Sequence, residues 1–321
     1  MRITRRSVLI SGGVAVGVVG LTTLVLPRFD NTPALIPRSP PGAILADEPL
    51  WSAQDNTLYW VDIRGKTLHA LSLTDASTKS WTMPDLLDWI VLREKGGFLA
   101  AILRTIYTLT LDPFTLTPLF TIEADKTENR LNDAKVDAKG RLWTGTMHMP
   151  FTKKIAALYR IDPDLSVHLM DAPYICTNGP AFSRDGKRMY HNETGERIIY
   201  AFDLAEDGSL SGKHIFARFS EHAGLPDGLR IDADDGLWVA HYGGGRISRY
   251  TPDGKLDFDI SVPAKQVTSL TFAGPNLDRL FVTTAAQPPV DADDIHAGTL
   301  FEVPKALLRG HRGLPTNAFA G

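Results

Sequence analysis

The chain is poor in the features that most directly announce a chemistry: cysteine, paired histidines, basic blocks and nucleophile motifs. A single cysteine, Cys176, stands among 321 residues, which excludes an internal disulfide and a thiolate metal cluster and leaves a small buried hydrophobe as its expected role. The nine histidines form no metal-spaced pair. His69, His168 and His214 fall in strand-like segments, and His148 and His241 come just after such segments, so structural roles are expected of them. Lysine and arginine are nowhere clustered beyond the first residues, and the formal charge is −3, more negative still without Arg2, Arg5 and Arg6. Such a surface does not grip phosphates and argues against nucleic acid as a partner. There is no G-x-S-x-G elbow and no P-loop, which removes support for serine-nucleophile chemistry and nucleotide hydrolysis. Past residue 42 long helical periodicity is missing too.

What is present begins with an exception. Residues 1–26 carry Arg5-Arg6 ahead of an uncharged apolar run from Val8 to Leu26, a targeting pattern of the twin-arginine type that predicts export to the periplasm. A run of that length also suits a membrane anchor, and no clear A-x-A site follows it, so cleavage stays open. Any membrane association is expected only through this leader. Residues 27–41 are proline-rich and aperiodic and read as a linker.

From residue 42 to residue 321 short runs of Val, Ile, Leu, Tyr and Trp alternate with Gly, Asp, Asn and Pro turns, an all-β pattern. A phrase recurs: "NTLYWVDI", "GGFLAAI", "GRLWTGTM", "KRMYHNE", "GLWVAHY" and "DRLFVTTA". With Leu58, Phe98, Leu142, Met189, Leu237 and Leu280 taken as equivalent, the spacing is that of four-stranded propeller blades. Six copies predict a six-bladed β-propeller. A β-sandwich would not explain the repeat. The fifth copy shows the blade plan, with Asp235-Gly236, Gly243 to Gly245 and Asp253-Gly254 joining four strands.

In such a ring the first strand of each blade lines the central channel. Counting back ten positions from each alignment point reaches Glu48, Asp88, Asn132 and Asp227; the fourth blade offers Asn178 at eleven, and the sixth Leu270 beside Ser269 and Thr268. Any one of these pairs with glycine reads as a turn. Five carboxylates or carboxamides at nearly one register would repel unless a cation sat among them. Oxygen donors without His or Cys favour a hard ion: Ca²⁺ first, with Mg²⁺, Mn²⁺ or Zn²⁺ as alternatives.

At these residues the sequence resembles the senescence marker protein/gluconolactonase family, also called regucalcin-like. "ENRLNDAKVDAKGRLWTGTM", "NGPAFSRDGKRMY" and "GLPDGLRIDADDGLWVAHYGGG" are similar to its phrases, and the match runs from about Leu45 to Val303. The resemblance implies a six-bladed propeller and a divalent-metal-dependent lactonase acting on a small sugar lactone. It implies that Glu48 in "ADEPLW", Asn178 and Asp227 hold the metal, that Asp227 is the general base, and that Arg130 and Asn132 hold the substrate. On this reading the polar crowd from Glu128 to Asp133 is a loop that grips a ligand over the channel mouth.

Two departures from the family pattern stand out, His148-Met149-Pro150 where several members have a glutamate, and Glu193-Thr194 in place of Asp-Ser. Asp88 and His148 are therefore additional pocket candidates. Alternative functions are a phosphotriesterase using the same ion, a periplasmic binding or scaffold disc with a structural ion, and a strictosidine-synthase-like propeller that needs none.

Overall fold

The computed structural model describes residues 33–321. The export or anchor reading of 1–26 lies outside the described residues. Among those described, no helix is long and apolar enough to cross a membrane.

Six four-stranded antiparallel sheets form a six-bladed β-propeller. Their inner strands are Ala46–Ser52, Leu87–Leu92, Asn129–Val136, Thr177–Phe182, Leu225–Ile231 and Val267–Ala273, here blades one to six. Each inner strand packs beside the next, and the sixth beside the first, which closes the ring. All six alignment residues found in the repeat lie at or near the start of a blade's second strand, paired with its inner strand.

Residues buried on both faces explain the near-continuous apolar runs of these strands. There is no single core. Six apolar clusters each fill the wedge between two neighbouring blades, for instance Trp89, Val91 and Ile106 of blade two against Leu131, Ala134 and Leu142 of blade three. Trp143 and Trp238, fully buried, recur at one place in blades three and five. Each indole N–H donates at 2.8 Å to an aspartate in the preceding turn, Asp137 or Asp232, which also holds an arginine, Arg141 or Arg249. Burying charge inside a blade edge is tolerable because those carboxylates are fully bonded.

Two segments flanking the blades pair with residues far away in sequence. Ile36–Pro37 forms the outermost strand of blade six, with Ile36 opposite Glu302 and Pro37 opposite Phe301. The segment read as a linker over 27–41 thus contributes a strand, because its backbone finds a free sheet edge 264 residues away, and Arg38 bonds Glu302 there at 2.7 Å. The other end, residues 309–321, runs under the disc. It bonds Leu277, Ala233, Gly140, Leu92 and Glu94, and it buries Phe319 completely between blades two and three.

Candidate active site

Every inner strand carries a register irregularity in the stretch where the polar residues were counted: between Asp47 and Leu50, Leu87 and Trp89, Leu131 and Ala134, Asn178 and Ala181, Pro226 and Leu229, and Val267 and Ser269. A bulge puts an extra residue into one strand, so it re-aims side chains that plain alternation would send into the blade. In this way the strands deliver polar groups to the axis. Gly228 serves the same end: a Cβ there would come within 2.2 Å of Ser269 Oγ, so blades five and six meet closely only with glycine after Asp227.

On one face of the disc a cavity of about 410 Å³ opens over these groups, lined by Asp47, Arg130, Asn132, Asn178 and Asp227, with Cys176 and Thr194 beside them. Of the expected residues, Arg130, Asn132, Asn178 and Asp227 are therefore together. Glu48 does not line this cavity, although one of its oxygens lies within 4.8 Å of oxygens of Asp47 and Asp133. It lines a smaller cavity on the far side, about 120 Å³, and both its oxygens accept from Lys135 Nζ, at 2.6 and 2.7 Å. The carboxylate of blade one that faces the main cavity is Asp47.

The reason is local backbone geometry. Glu48 has φ +44°, and in blade four the matching place after Asn178 is Gly179, φ +86°, each followed by proline. The left-handed residue of a bulge turns its side chain out of the alternation. Asp47-Glu48-Pro49 and Asn178-Gly179-Pro180 are thus equivalent, and the shared proline is the sequence signal that points to Asp47.

The remaining candidates support the cavity without lining it. Asp88 is buried behind Arg130 and accepts from its Nη1 at 2.8 Å, while that nitrogen also donates to the Leu131 carbonyl. Burial pushes the Asp88 carboxyl up to about 8, with Arg130 opposing. His148 is fully buried, and its Nδ1 accepts from the backbone N–H groups of Thr152 and Lys153 at 3.1 and 3.0 Å, so it shapes the loop over the mouth. Neither side chain lines the cavity: Asp88 holds Arg130, which does, and His148 holds the backbone just beyond Met149 and Phe151, which do.

Asn132 also does something other than expected. Its amide nitrogen donates to Thr177 carbonyl at 2.6 Å and to Asn178 Oδ1 at 2.7 Å, which leaves its oxygen, an acceptor, for a ligand. Asn178 in turn donates to Thr194 Oγ1 at 2.8 Å, and Thr194 to Pro226 carbonyl at 2.8 Å, a chain that fixes the Asn178 amide between blades three and five. The Glu193-Thr194 departure thus has a structural use: Thr194 orients Asn178, and Glu193 accepts the backbone N–H groups of Ile175 and Gly195. Cys176 is buried and free, and burial pushes its thiol up, away from thiolate reactivity.

Charge at the axis is unbalanced. Lys135 is spent on Glu48 and Arg130 on Asp88. Asp47, Asp133 and Asp227 are buried and have no cationic ion-pair partner among the described residues. Burial raises all three, and neighbouring carboxylates add to it: Glu48 on Asp47, Glu48 and Asp47 on Asp133, and Asp47, Asp133 and Glu48 on Asp227. Asp47 is pushed up to about 7, and Asp133 and Asp227 stand well above the usual carboxylate range. Oxygens of Asp47, Glu48 and Asp133 lie within 4.8 Å of one another, and Asp47 is the strongest charge acting on Asp227. A cluster of oxygens that must otherwise take up protons fits a hard dication, which supplies the missing charge directly. Asp47, Asn178 and Asp227 offer it two carboxylates and an amide oxygen on the open side.

Comparison with known proteins gives the family. Residues 45–286 match the family model described as SMP-30/Gluconolactonase/LRE-like region. The chain belongs to this family. It is 32% identical to a 6-deoxy-6-sulfogluconolactonase of Pseudomonas putida over 76% of this chain and 84% of that one. It is 31% identical to a pentonolactonase of Haloferax volcanii over 75% of this chain and 81% of the other. Among solved structures, a calcium-binding regucalcin of Agrobacterium tumefaciens superposes with a TM-score of 0.83 at 25% identity, covering 90% of this chain and 98% of that one.

Proposed function

We propose that this family member is a hydrolase that opens a sugar lactone with the help of one divalent cation, Ca²⁺ being the first choice. The observation that carries the reading is the gathering, in one cavity, of Asp47, Asn178 and Asp227 from blades one, four and five with Arg130 from blade three. Relatives named as lactonases and a similar structure named as calcium-binding support it. When bound, the cation would polarise the lactone carbonyl as a Lewis acid.

The chain's own groups do the rest. Asp227 is the general base, placed to take a proton from the attacking water. Its raised affinity for protons comes from burial and from Asp47 and Asp133, and a bound cation would pull it back toward an ordinary carboxylate. Arg130, held by Asp88, presents a fixed positive charge to the carbonyl or hydroxyl oxygens of the substrate and offsets the negative charge of the carboxylate product. Asn132 keeps the Asn178 amide oxygen in place and offers its own oxygen to a substrate hydroxyl.

The test is acid release in a pH-stat from a panel of aldonolactones, with Ca²⁺, Zn²⁺, Mn²⁺, Mg²⁺ or a chelator present. Metal-dependent acid release is the expected result. Release of no acid from any lactone under any metal would sink the reading.

A further inference from the structure

The cavity mouth is two-sided. On the side of blades five, six and one, Tyr242, Gln287 and Arg64 line it beside Leu45, Ile63 and Leu225 and satisfy each other: Arg64 Nε donates to Gln287 Oε1 at 2.6 Å, and Gln287 Nε2 to Tyr242 Oη at 3.2 Å. On the side of blades two and three, apart from Arg130 and Asn132 of the inner strand, the lining is Leu86, Met147, Met149 and Phe151, four side chains that offer a ligand no conventional hydrogen bond. A sugar lactone carries hydroxyls around its ring, and a hydroxyl pressed against such a wall loses water without gaining a partner.

The wall is built, not incidental. Phe151 adopts φ +58°, which is unfavourable for a bulky side chain and persists only where the surroundings impose it. The constraints can be named. Phe151 N–H donates to the His148 carbonyl at 2.8 Å, Met149 N–H to the Glu128 carbonyl at 2.9 Å, and His148 N–H to the Ile175 carbonyl of blade four at 2.9 Å. The buried His148 ring gathers the next two N–H groups, so the turn after the second strand of blade three is tied on three sides. What this tightly held turn presents to the cavity is Met149 and Phe151, each 37% exposed.

We infer that the lactones this site takes carry an apolar substituent, an alkyl chain or deoxygenated carbons, that packs on Leu86, Met147, Met149 and Phe151. The inference rests on the lactonase reading and narrows its substrate class. His148 is then a positioning residue for the lip.

The test compares kcat/KM for δ-octanolactone with that for D-glucono-δ-lactone, in the wild type and in Met149→Ser, Met149→Leu and Phe151→Asn. Asparagine tolerates positive φ, so Phe151→Asn removes the ring while keeping the turn. The wild type should favour the alkyl lactone by about tenfold or more, as a few methylenes in an apolar pocket allow. Met149→Ser and Phe151→Asn should each lower that ratio several-fold to about tenfold, and Met149→Leu should keep it. Turnover of gluconolactone with a ratio below one, or a ratio that neither polar variant moves, overturns the apolar-substituent inference and leaves the lactonase reading standing. Turnover of neither lactone removes both. Should a variant fail to fold, the wild-type ratio still decides.

Discussion

The two ends of the central channel are lined by the same six strands, yet they differ in charge. At the far end Glu48 and Lys135 neutralise each other, Arg230 donates to the Pro49 carbonyl at 3.0 Å, and residues 314–317 of the C-terminal tail line the smaller cavity. At the near end Asp47, Asn178, Asp227 and Arg130 face a larger cavity, and Asp47 and Asp227 have no cationic partner among the described residues. A charge-compensated end is what stability requires of a ring. An uncompensated end with the larger cavity is a cost to stability that a ligand can offset, so the chemistry belongs there.

The largest expected effect tests the near end. Asp227→Asn should lower kcat/KM for lactone hydrolysis by more than the ~10²- to 10⁴-fold of a lost proton transfer alone, because cation binding falls with it. Its melting temperature without metal should hold or rise, since one of three repelling buried carboxylates is gone. A pH-stat rate within tenfold of wild type would remove the contrast between the ends.

The far end should respond in stability instead. Phe319→Ala leaves a cavity between blades two and three and should cost about 3–5 kcal/mol in urea unfolding. Lactone turnover at permissive temperature should survive it. Equal loss of both would mean that the tail shapes the near cavity as well.

A sharper comparison lies in adjacent residues. Asp47→Ala should weaken Ca²⁺ binding in calorimetric titration by about 100-fold or more. Glu48→Gly suits the left-handed backbone at that place and should retain binding, while stranding Lys135 at a cost of up to about 3 kcal/mol in stability. If Glu48→Gly loses the cation and Asp47→Ala does not, the assignment of the two carboxylates is reversed.

The smallest effect concerns neither end but a blade interior, and calibrates both. His241 is buried between Phe219 and Ser248, and burial lowers its imidazole from 6.5 to about 4. Below pH 6.5 the unfolded chain binds a proton there that the folded chain refuses. The stabilising contribution is thus complete above 6.5 and lost progressively as pH falls toward 4. His241→Gln should make the acid limb of the stability curve shallower by up to about 1.4 kcal/mol per pH unit in that window. Denaturant titrations at pH 7, 6, 5 and 4 read it directly.

Much of this was legible in the chain itself. The blade count followed from Leu58, Phe98, Leu142, Met189, Leu237 and Leu280, because every blade needs the same apolar second strand after the same kind of turn. The approach of Asn132, Asn178 and Asp227 followed from their nearly equal distance before those residues, ten or eleven positions. Counting positions reached Glu48, whereas the blade-one carboxylate that lines the larger cavity is Asp47, because counting assumes plain alternation and a left-handed residue inside a bulge breaks it. Asp88 and His148 looked like pocket groups because residue type and register do not tell a group that meets a ligand from one that holds its neighbour. Ile36–Pro37 read as linker because the partner that makes it a strand lies at the other end of the chain.

The amino-acid order alone determined the wheel: local patterning of strand and turn, repeated six times, leaves closure as the way to bury both faces of every blade. Which carboxylate turns toward the larger cavity, which arginine is left to meet a ligand, and which end of the channel is charge-compensated were decided only in three dimensions. Those outcomes depend on bulge geometry and on contacts between residues dozens to hundreds of positions apart, and neither leaves a mark in a local stretch of sequence.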